Sequence, residues 1–192
     1  MVRNESDPDG PIIQRYLAGD KGSFNELISR YERYIYNVTY RMTGNATDAA
    51  DLTQEIFIHL HKKVTSFRGD AAFSTWFYRL AVNYCKDWLR KESRRVSTFD
   101  IDEVAVSDGG TGPSQHYEQK ELQELVQSVI TTLPEDQRIA IILRDLQGYN
   151  YEDIASITGV PVGTVKSRLA RARGKLAEKL APIMELYGKI NV

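Results

Sequence analysis

The chain has 192 residues, of which 42% are hydrophobic and 27% charged, and its formal net charge is −1. This composition excludes collagen-like and wholly disordered chains, and the length allows one domain or two small ones. The longest uninterrupted apolar run, residues 139–143, is too short to cross a membrane, and no signal peptide is expected. A single cysteine, Cys85, excludes an internal disulfide framework, so we expect a cytoplasmic protein without direct membrane insertion.

The charge is unevenly distributed along the chain. Residues 1–96 carry a net charge of +3, residues 97–116 carry −4 without any lysine or arginine, and residues 117–192 are neutral overall. The middle stretch is also rich in glycine, serine and threonine, and such a sequence cannot form a packed core. The sequence therefore predicts two small domains, residues 10–96 and 117–187, joined by a flexible acidic linker over 97–116.

Both halves show the three- and four-residue spacing of amphipathic helices, and no good alternating strand pattern is present. We therefore predict an all-α fold of two small helical domains. The second helix is expected to be capped at Thr47 or Asp48, and a loop is expected at 66–72. The predicted helices run near residues 24–42, 47–60, 73–94, 117–132, 135–146, 151–158 and 162–180.

The helix predicted over 73–94 has two distinct faces. The first is an apolar stripe suited to a core, made of Phe73, Phe77, Leu80, Tyr84 and Trp88. The second is wholly basic and polar, made of Thr75, Arg79, Asn83, Lys86 and Arg90. A solvated face usually mixes both signs of charge, so this one suits a polyanion such as nucleic acid. From this segment alone, an ordinary solvated face and a nucleic-acid contact remain equally open.

The C-terminal half contains the spacing of a helix-turn-helix. Asn150 can cap the first helix, Gly159 supplies the permissive backbone of a tight turn, and Pro161 sets the start of the second helix. Ala155 is small where the two helices would cross, and Val165 is an apolar anchor of the second helix.

The outer face of this second helix is basic. Residues 166–179 carry a net charge of +5. The exposed face is expected to present Lys166, Ser167, Ala170 and Arg171, flanked by Arg168, Arg173 and Lys175. Such a face puts base-reading groups at its centre and phosphate-binding groups at its edges. An ordinary amphipathic basic helix is the alternative.

No catalytic constellation is present. His59 and His61 are two residues apart on a helix, so they do not share a face and make a poor metal pair. Cys85 lies beside the apolar stripe, where a core residue is a simpler interpretation than a nucleophile. No phosphate-binding loop or dinucleotide fingerprint occurs. We expect a protein that is not an enzyme and that holds neither a metal nor a cofactor.

Four stretches together resemble a bacterial sigma factor of the extracytoplasmic-function group, over about residues 12–182. They are Asp-Leu-Thr-Gln-Glu at 51–55, Ser-Phe-Arg-Gly-Asp-Ala-Ala-Phe-Ser-Thr-Trp at 66–76, Tyr-Arg-Leu-Ala-Val-Asn at 78–83 and Pro-Val-Gly-Thr-Val-Lys-Ser-Arg at 161–168. The function implied is that of a dissociable promoter-specificity subunit of RNA polymerase.

The resemblance implies three binding surfaces. Core RNA polymerase would contact Asp51, Gln54 and Glu55. Melted minus-ten DNA would contact the loop residues Phe67, Arg68, Gly69, Asp70 and Ala71, together with Arg79, Asn83, Lys86 and Arg90. Duplex minus-35 DNA would contact Thr164, Lys166, Ser167, Arg168, Ala170 and Arg171. Some members carry a large aromatic where this chain has Ala170, which leaves the upstream sequence open, and Trp76 suits either the core or DNA.

The expected partners are bacterial core RNA polymerase, promoter DNA and an anti-sigma factor of the kind that commonly holds such proteins inactive. Two other classes remain open. A stand-alone helix-turn-helix regulator would share the C-terminal motif but bind duplex DNA strongly by itself. An enzyme or adaptor with a nucleic-acid-binding tail is the third class.

Overall fold

The computed structural model describes the backbone of residues 7–96 and 115–190 and the side chains of residues 7–94 and 121–185. Over this described backbone the chain forms helices and turns without a strand, so the predicted all-α fold is confirmed. The predicted linker, residues 97–116, lies outside the described part except for its last two residues. In chain order the elements are α1 (Gly10–Leu17), α2 (Gly22–Thr43), α3 (Ala46–Lys63), a 3₁₀ turn (Val64–Ser66), α4 (Phe73–Val96), α5 (Gln115–Thr131), α6 (Glu135–Ile141), a π-helical turn (Ile142–Leu146), α7 (Tyr151–Thr158) and α8 (Val162–Ile190).

The N-terminal half is built around the apolar faces of α2, α3 and α4. Phe73 and Phe77 of α4 are fully buried, and their ring centroids lie 5.8 Å apart. The ring of Tyr31 from α2 packs edge-on against both. Fully burying a side chain of this size stabilises a fold by roughly 1.5–3 kcal/mol. This aromatic core fixes the orientation of α4, although Trp88 at its far end is only partly buried.

The short helix α1 is absent from the sequence-based prediction. Its Ile12 and Ile13 are buried, and Asp9 just before it is buried as well. The Asp9 carboxylate accepts hydrogen bonds from the Tyr31 hydroxyl and the Arg30 guanidinium of α2. Eight residues offer too few apolar positions to reveal a helical period. The anchoring of α1 is therefore a tertiary effect.

The turn between α2 and α3 is set by Gly44 and Asn45. Gly44 has a φ of +79°, in the left-handed region that ends a helix, and its N–H donates to the Tyr40 carbonyl at 2.8 Å. The side-chain oxygen of Asn45 accepts from the backbone N–H groups of Thr47 and Asp48 at 2.8 and 3.1 Å. Asn45 therefore caps α3, and the predicted cap at Thr47 or Asp48 is wrong, because those residues already lie in the first turn.

The C-terminal half contains the predicted helix-turn-helix. The Asn150 side chain accepts from the Asp153 N–H at 2.7 Å and so caps α7. Gly159 ends α7 with a φ of +71°. The helix α8 starts directly after Pro161, and Val165 anchors it in the core. The local signals in the sequence thus determine both helix ends at this turn.

The two halves pack against each other and share one continuous core. The ring centroids of Tyr78 in α4 and Tyr149 before α7 lie 4.9 Å apart, and the Tyr78 hydroxyl donates to the side chain of Gln147 at 2.9 Å. Burial raises the pKa of the Tyr149 hydroxyl to about 12. Thr75, predicted on the solvated side of α4, is buried, because α7 packs over that side.

Arg138 of α6 contacts the end of one helix in each half, α2 and α5. The Arg138 guanidinium donates to the backbone carbonyls of Met42 in the last turn of α2, Thr131 at the end of α5, and Leu133 just beyond it. Burial lowers the pKa of Arg138, but an arginine keeps its charge at neutral pH. A partly buried cation therefore faces the negative ends of two helices.

The packing of α2 on α5 leaves no room for a side chain at Gly44. A Cβ atom at this position would lie 2.8 Å from Thr131 Cγ2. We expect Gly44→Ala to lower the free energy of unfolding by about 2–4 kcal/mol, because left-handed strain and overpacking act together. The control Gly159→Ala has a similar φ of +71° but open space around it, and should cost about 1–2 kcal/mol. Denaturant titrations measure both losses.

A rescue variant separates the two causes. Thr131→Ser removes Cγ2 but keeps the hydroxyl, which donates to the Ser128 carbonyl at 2.7 Å. The double variant Gly44→Ala/Thr131→Ser should therefore recover the overpacking part of the loss. Equal losses for Gly44→Ala and Gly159→Ala, without any recovery, would contradict the close packing of α2 on α5.

Candidate DNA-binding and polymerase-binding surfaces

The residues predicted to contact polymerase lie on α3. Asp51, Gln54 and Glu55 are all exposed, and Asp51 and Glu55 are one turn apart on the same helix face. The Glu55 carboxylate accepts a hydrogen bond from the Tyr84 hydroxyl at 3.2 Å. Burial, together with this carboxylate, raises the pKa of Tyr84. A partner can therefore reach two carboxylates and one amide on α3.

The loop predicted at 66–72, which the resemblance assigns to melted minus-ten DNA, follows the 3₁₀ turn that ends at Ser66 and is anchored by an aromatic ring. The half-buried ring of Phe67 lies 5.4 Å from those of Phe73 and Trp76, measured between centroids. Gly69 turns the chain with a φ of +77° and has open space around it. The other predicted loop residues are at least partly exposed: Arg68, Asp70 and Ala71. A ligand would meet polar loop groups beside an aromatic wall.

A cleft between α3 and α4, the α3–α4 cleft, contains the predicted residue Asn83. Its other walls include His59 and Lys63 of α3, and Trp76 and Tyr84 of α4. The ring centroids of His59 and Tyr84 lie 5.4 Å apart. Aromatic rings beside a cation suit single-stranded nucleic acid, because bases stack on rings and phosphates bind cations.

Three of these cleft residues were not predicted as DNA contacts. His59 and Lys63 are four residues apart on a helix and so share a face, a signal that the sequence contains. From the sequence, His59 is considered only as a metal ligand and Tyr84 is placed in the core stripe. Tyr84 is only half-buried at the edge of that stripe. The sequence leaves open whether Trp76 belongs to the core or contacts DNA. In the structure Trp76 both packs on Phe73 and lines the α3–α4 cleft.

The predicted cations of α4 are engaged by other groups. Arg79 donates to the Ser156 hydroxyl at 3.0 Å and to the carbonyl of the same residue in α7. The Lys86 ammonium lies 3.1 Å from the Asp136 carboxylate of α6. Arg90 pairs at 3.5 Å with an aspartate one turn earlier on its own helix. The basic face seen in the sequence is therefore partly covered by the C-terminal half.

The helix α8 exposes the face predicted to read bases. The residues predicted for this face are all exposed: Lys166, Ser167, Ala170 and Arg171. On the other side of the helix Val165 is buried. Two other residues predicted to contact minus-35 DNA are less accessible, since Thr164 is half-buried and Arg168 forms an ion pair with Asp136 at 2.6 Å. A base-reading centre is thus open to solvent while one edge is already ion-paired.

The described side chains include no group of three or more histidine, cysteine, aspartate or glutamate residues that could hold a metal ion. The described helices also include none that is long and apolar enough to span a bilayer. Cys85 is fully buried, and burial raises the pKa of its thiol to about 12. Cys85 is therefore a core residue.

Two family models match the chain, one in each half. The model for sigma-70 region 2 matches residues 27–95, and the model for sigma-70 region 4 matches residues 123–176. The first match contains the α3–α4 cleft and the second contains the helix-turn-helix. The predicted domain boundaries, 10–96 and 117–187, are not fixed by these ranges and stay predictions.

Relatives that align over nearly their whole length identify the group of sigma factors to which this chain is similar. The ECF RNA polymerase sigma-E factor of Haemophilus influenzae is 40% identical over 184 residues, which cover 92% of this chain and 97% of the relative. The ECF RNA polymerase sigma-E factor of Escherichia coli K12 is 38% identical, covering 92% of this chain and 96% of the relative. The chain therefore belongs to the extracytoplasmic-function (ECF) sigma factors, which are transcription initiation factors and not enzymes.

Solved structures show the same architecture. The sigma factor RpoE of Bartonella quintana, crystallised with the anti-sigma factor NepR, is 28% identical and gives a TM-score of 0.66 over 82% of this chain and 96% of that chain. CnrH, solved with the cytosolic domain of CnrY, gives a TM-score of 0.69 over 91% of this chain and 97% of that chain. At 20% identity, the likeness to CnrH supports the fold alone.

Cys85 offers a check of the core around α4. With a thiol pKa of about 12, we expect almost no reaction of the native protein with a thiol reagent at pH 8, where roughly one thiol in ten thousand is ionised. Denaturant should expose Cys85 and allow complete labelling, as followed by absorbance. Rapid labelling of the native protein would contradict the burial of this side chain.

Proposed function

We propose that this chain is a promoter-specificity subunit that binds core RNA polymerase, directs it to specific promoters and helps to melt the minus-ten DNA. The observation that carries the proposal is that one chain combines an exposed base-reading helix face with a cleft suited to single-stranded DNA. A stand-alone regulator of duplex DNA needs the first surface but not the second. Membership of the ECF sigma factors supports the same conclusion.

The exposed face of α8 suits duplex minus-35 DNA. An α-helix fits the major groove, where each base pair presents a distinct pattern of donors, acceptors and methyl groups. Lys166 and Arg171 offer cationic donors suited to guanine, and the Ala170 methyl suits the methyl group of thymine. The Ser167 hydroxyl donates to the Thr164 carbonyl at 2.9 Å, so its lone pairs are left to accept from a base. These four residues would read the upstream element.

The α3–α4 cleft and the neighbouring loop suit melted minus-ten DNA. Unstacking a base costs a few kcal/mol, whereas stacking it on an aromatic side chain contributes about 1–3 kcal/mol. His59, Tyr84 and Trp76 supply rings for this purpose, and Lys63 supplies a cation for the backbone. The exposed amide of Asn83 can both donate to and accept from a base edge. The free-energy cost of strand separation would thus be offset by contacts made only with the open strand.

The acidic group on α3 suits a basic surface of core polymerase. Asp51 and Glu55 are exposed, and Glu55 is also bonded to Tyr84 of the α3–α4 cleft. Polymerase docked on this helix would therefore lie next to the DNA strand held in the cleft. Placing the enzyme beside the opened strand is what initiation requires.

We also infer an anti-sigma partner and a cytoplasmic location. The related RpoE of Bartonella quintana is solved with an anti-sigma factor. Core polymerase and promoter DNA, the proposed ligands, are both cytoplasmic in bacteria.

Loss of the α3 carboxylates should weaken polymerase binding. We expect Asp51→Ala/Glu55→Ala to raise the dissociation constant for sigma-free core polymerase roughly tenfold or more, because basic groups of the partner lose their counter-charges. A titration of fluorescently labelled protein measures this constant. The control Glu178→Ala/Glu185→Ala removes the same charge from exposed positions of α8 and should bind like the native chain.

Two results would oppose this proposal. Unchanged affinity of the Asp51→Ala/Glu55→Ala variant would place the polymerase contact elsewhere on the chain. Failure of the folded native chain to bind core polymerase at all would favour the stand-alone regulator.

The base-reading role of α8 has its own test. We expect Arg171→Ala to reduce the discrimination between a selected promoter and a scrambled upstream element by about 1–3 kcal/mol. Competition binding by the holoenzyme measures the difference. Lys175→Ala removes the same charge one turn further along α8 and should weaken binding to both DNAs alike. If discrimination survives in Arg171→Ala, another helix face reads the promoter.

A further inference from the structure

A residue near the N-terminus caps the helix that follows the predicted minus-ten loop. The Asp7 carboxylate accepts a hydrogen bond at 2.7 Å from the backbone N–H of Phe73, the first residue of α4, although the two residues are 66 positions apart. The first amides of a helix have no partner within it, and the helix dipole also favours a negative charge at this end. Asp7 therefore stabilises the start of α4.

The N-cap position of α4 is occupied by a residue that cannot cap. The carbonyl of Ala72 accepts from the Trp76 N–H at 3.1 Å, which makes Ala72 the N-cap residue. Alanine has no side-chain oxygen and is much poorer at this position than serine, threonine, aspartate or asparagine. The carboxylate that serves the start of α4 therefore comes from a distant part of the chain.

The Asp7 side chain is itself held in place by α2. Its second carboxylate oxygen accepts from the Asp9 N–H at 3.1 Å. The Asp9 carboxylate is buried and accepts from the Tyr31 hydroxyl and the Arg30 guanidinium of α2. An acceptor that is fixed in advance loses little conformational entropy when it forms its bond. Residues 7–9 thus connect α2 to the start of α4 through a chain of hydrogen bonds.

Both ends of the loop over residues 67–72 depend on Phe73. At the first end, the ring of Phe67 packs edge-on against the ring of Phe73, with 5.4 Å between the centroids. At the second end, the loop runs directly into the backbone N–H that Asp7 binds. Between the ends, Gly69 has open space around it. The conformation of the loop is therefore determined largely by how its two ends are fixed.

We propose that Asp7 is a positioning residue for promoter melting, which fixes the start of α4 and thereby keeps the preceding loop in the conformation that binds melted minus-ten DNA. This inference rests on the proposed function as a sigma factor. A loop that is formed only part of the time binds more weakly, in proportion to the fraction that is formed. Asp7 lies outside residues 27–95, the range that the sigma-70 region 2 model matches, so that model does not include its contribution.

The variant Asp7→Ala tests this role in the holoenzyme. The probe is a promoter selected with the native holoenzyme, and the fluorescence of 2-aminopurine in its minus-ten element measures melting. We expect Asp7→Ala to lower the equilibrium constant for melting roughly three- to tenfold. Affinity for core polymerase, and for a duplex that ends upstream of the minus-ten element, should not change. The candidates for those contacts lie on α3 and α8, whereas Asp7 binds the first residue of α4.

Asp20→Ala is the matched control. The Asp20 carboxylate accepts at 2.9 Å from the N–H of Gly22, which is the first residue of α2. The variant therefore removes the same charge and the same kind of bond from the start of another helix. Denaturant titrations compare the stability of the two variants. We expect Asp20→Ala to melt the promoter as the native chain does, so that a general loss of stability is distinguished from a loss of loop positioning.

A local cap provides a rescue. Ala72→Ser places a hydroxyl at the N-cap of α4, where serine accepts from the second or third amide of a helix. We expect Asp7→Ala/Ala72→Ser to recover at least half of the lost melting, and Ala72→Ser alone to melt the promoter as the native chain does. Loss of melting in Asp7→Ala without recovery in the double variant would overturn capping as the mechanism.

The remaining outcomes separate this inference from the proposed function. If the native holoenzyme melts no promoter, the proposed function fails, and the role of Asp7 in melting fails with it. If the native holoenzyme melts the promoter and Asp7→Ala melts it equally well, only the role of Asp7 is wrong. Equal losses of melting in Asp7→Ala and Asp20→Ala would likewise overturn that role alone.

Discussion

Arg138 donates to the carbonyls of Met42, Thr131 and Leu133, so one partly buried guanidinium contacts the ends of two helices. The last carbonyls of a helix have no partner within it and carry partial negative charge, which a cation offsets. Because α2 belongs to the N-terminal half and α5 to the C-terminal half, the same contact helps to set how the halves meet. The packing of α7 on α4 lies across the same boundary between the two halves.

The polar side of α4 is predicted to bind DNA, but it packs against the C-terminal half. A chain whose net charge is −1 can bind DNA only where its cations are separated from its carboxylates. That separation is lost at Lys86, because Asp136 comes from the other half. The exposed face of α8 keeps it, since Arg171 remains exposed, whereas the α3–α4 cleft is lined by Asp87 as well as by Lys63. The surroundings of the α4 cations are therefore set by how the two halves pack and not by α4 alone.

The features that the sequence predicts well are local ones. The ends of α7 follow from Asn150 and Gly159, which act on amides and backbone angles within one turn of themselves. The pairing of Asp136 with Lys86 and Arg168 joins residues 50 and 32 positions apart, and no local pattern reports it. The polar face of α4 was for this reason predicted as free, although its composition was identified correctly.

The α3–α4 cleft can be predicted from the sequence only in part. The four-residue spacing of His59 and Lys63 places them on a shared face of α3, so the sequence predicts that these two residues lie together. That Tyr84 would leave the core stripe and meet Glu55 depends on how α4 packs on α3, which a single helix period cannot reveal. The helix α1 is a similar case, because its burial depends on the side chains of α2.

The pairing at Asp136 has a consequence for ionic strength. When a lysine or arginine that was free in solution binds a phosphate, added salt opposes binding because it lowers the gain from releasing DNA counterions. Under the proposed function, Lys86 and Arg168 would instead give up one ion pair as each formed another, and salt would weaken the pair that is lost as well as the pair that is gained. The dependence of promoter affinity on salt would then be shallower than the number of phosphate contacts alone would give.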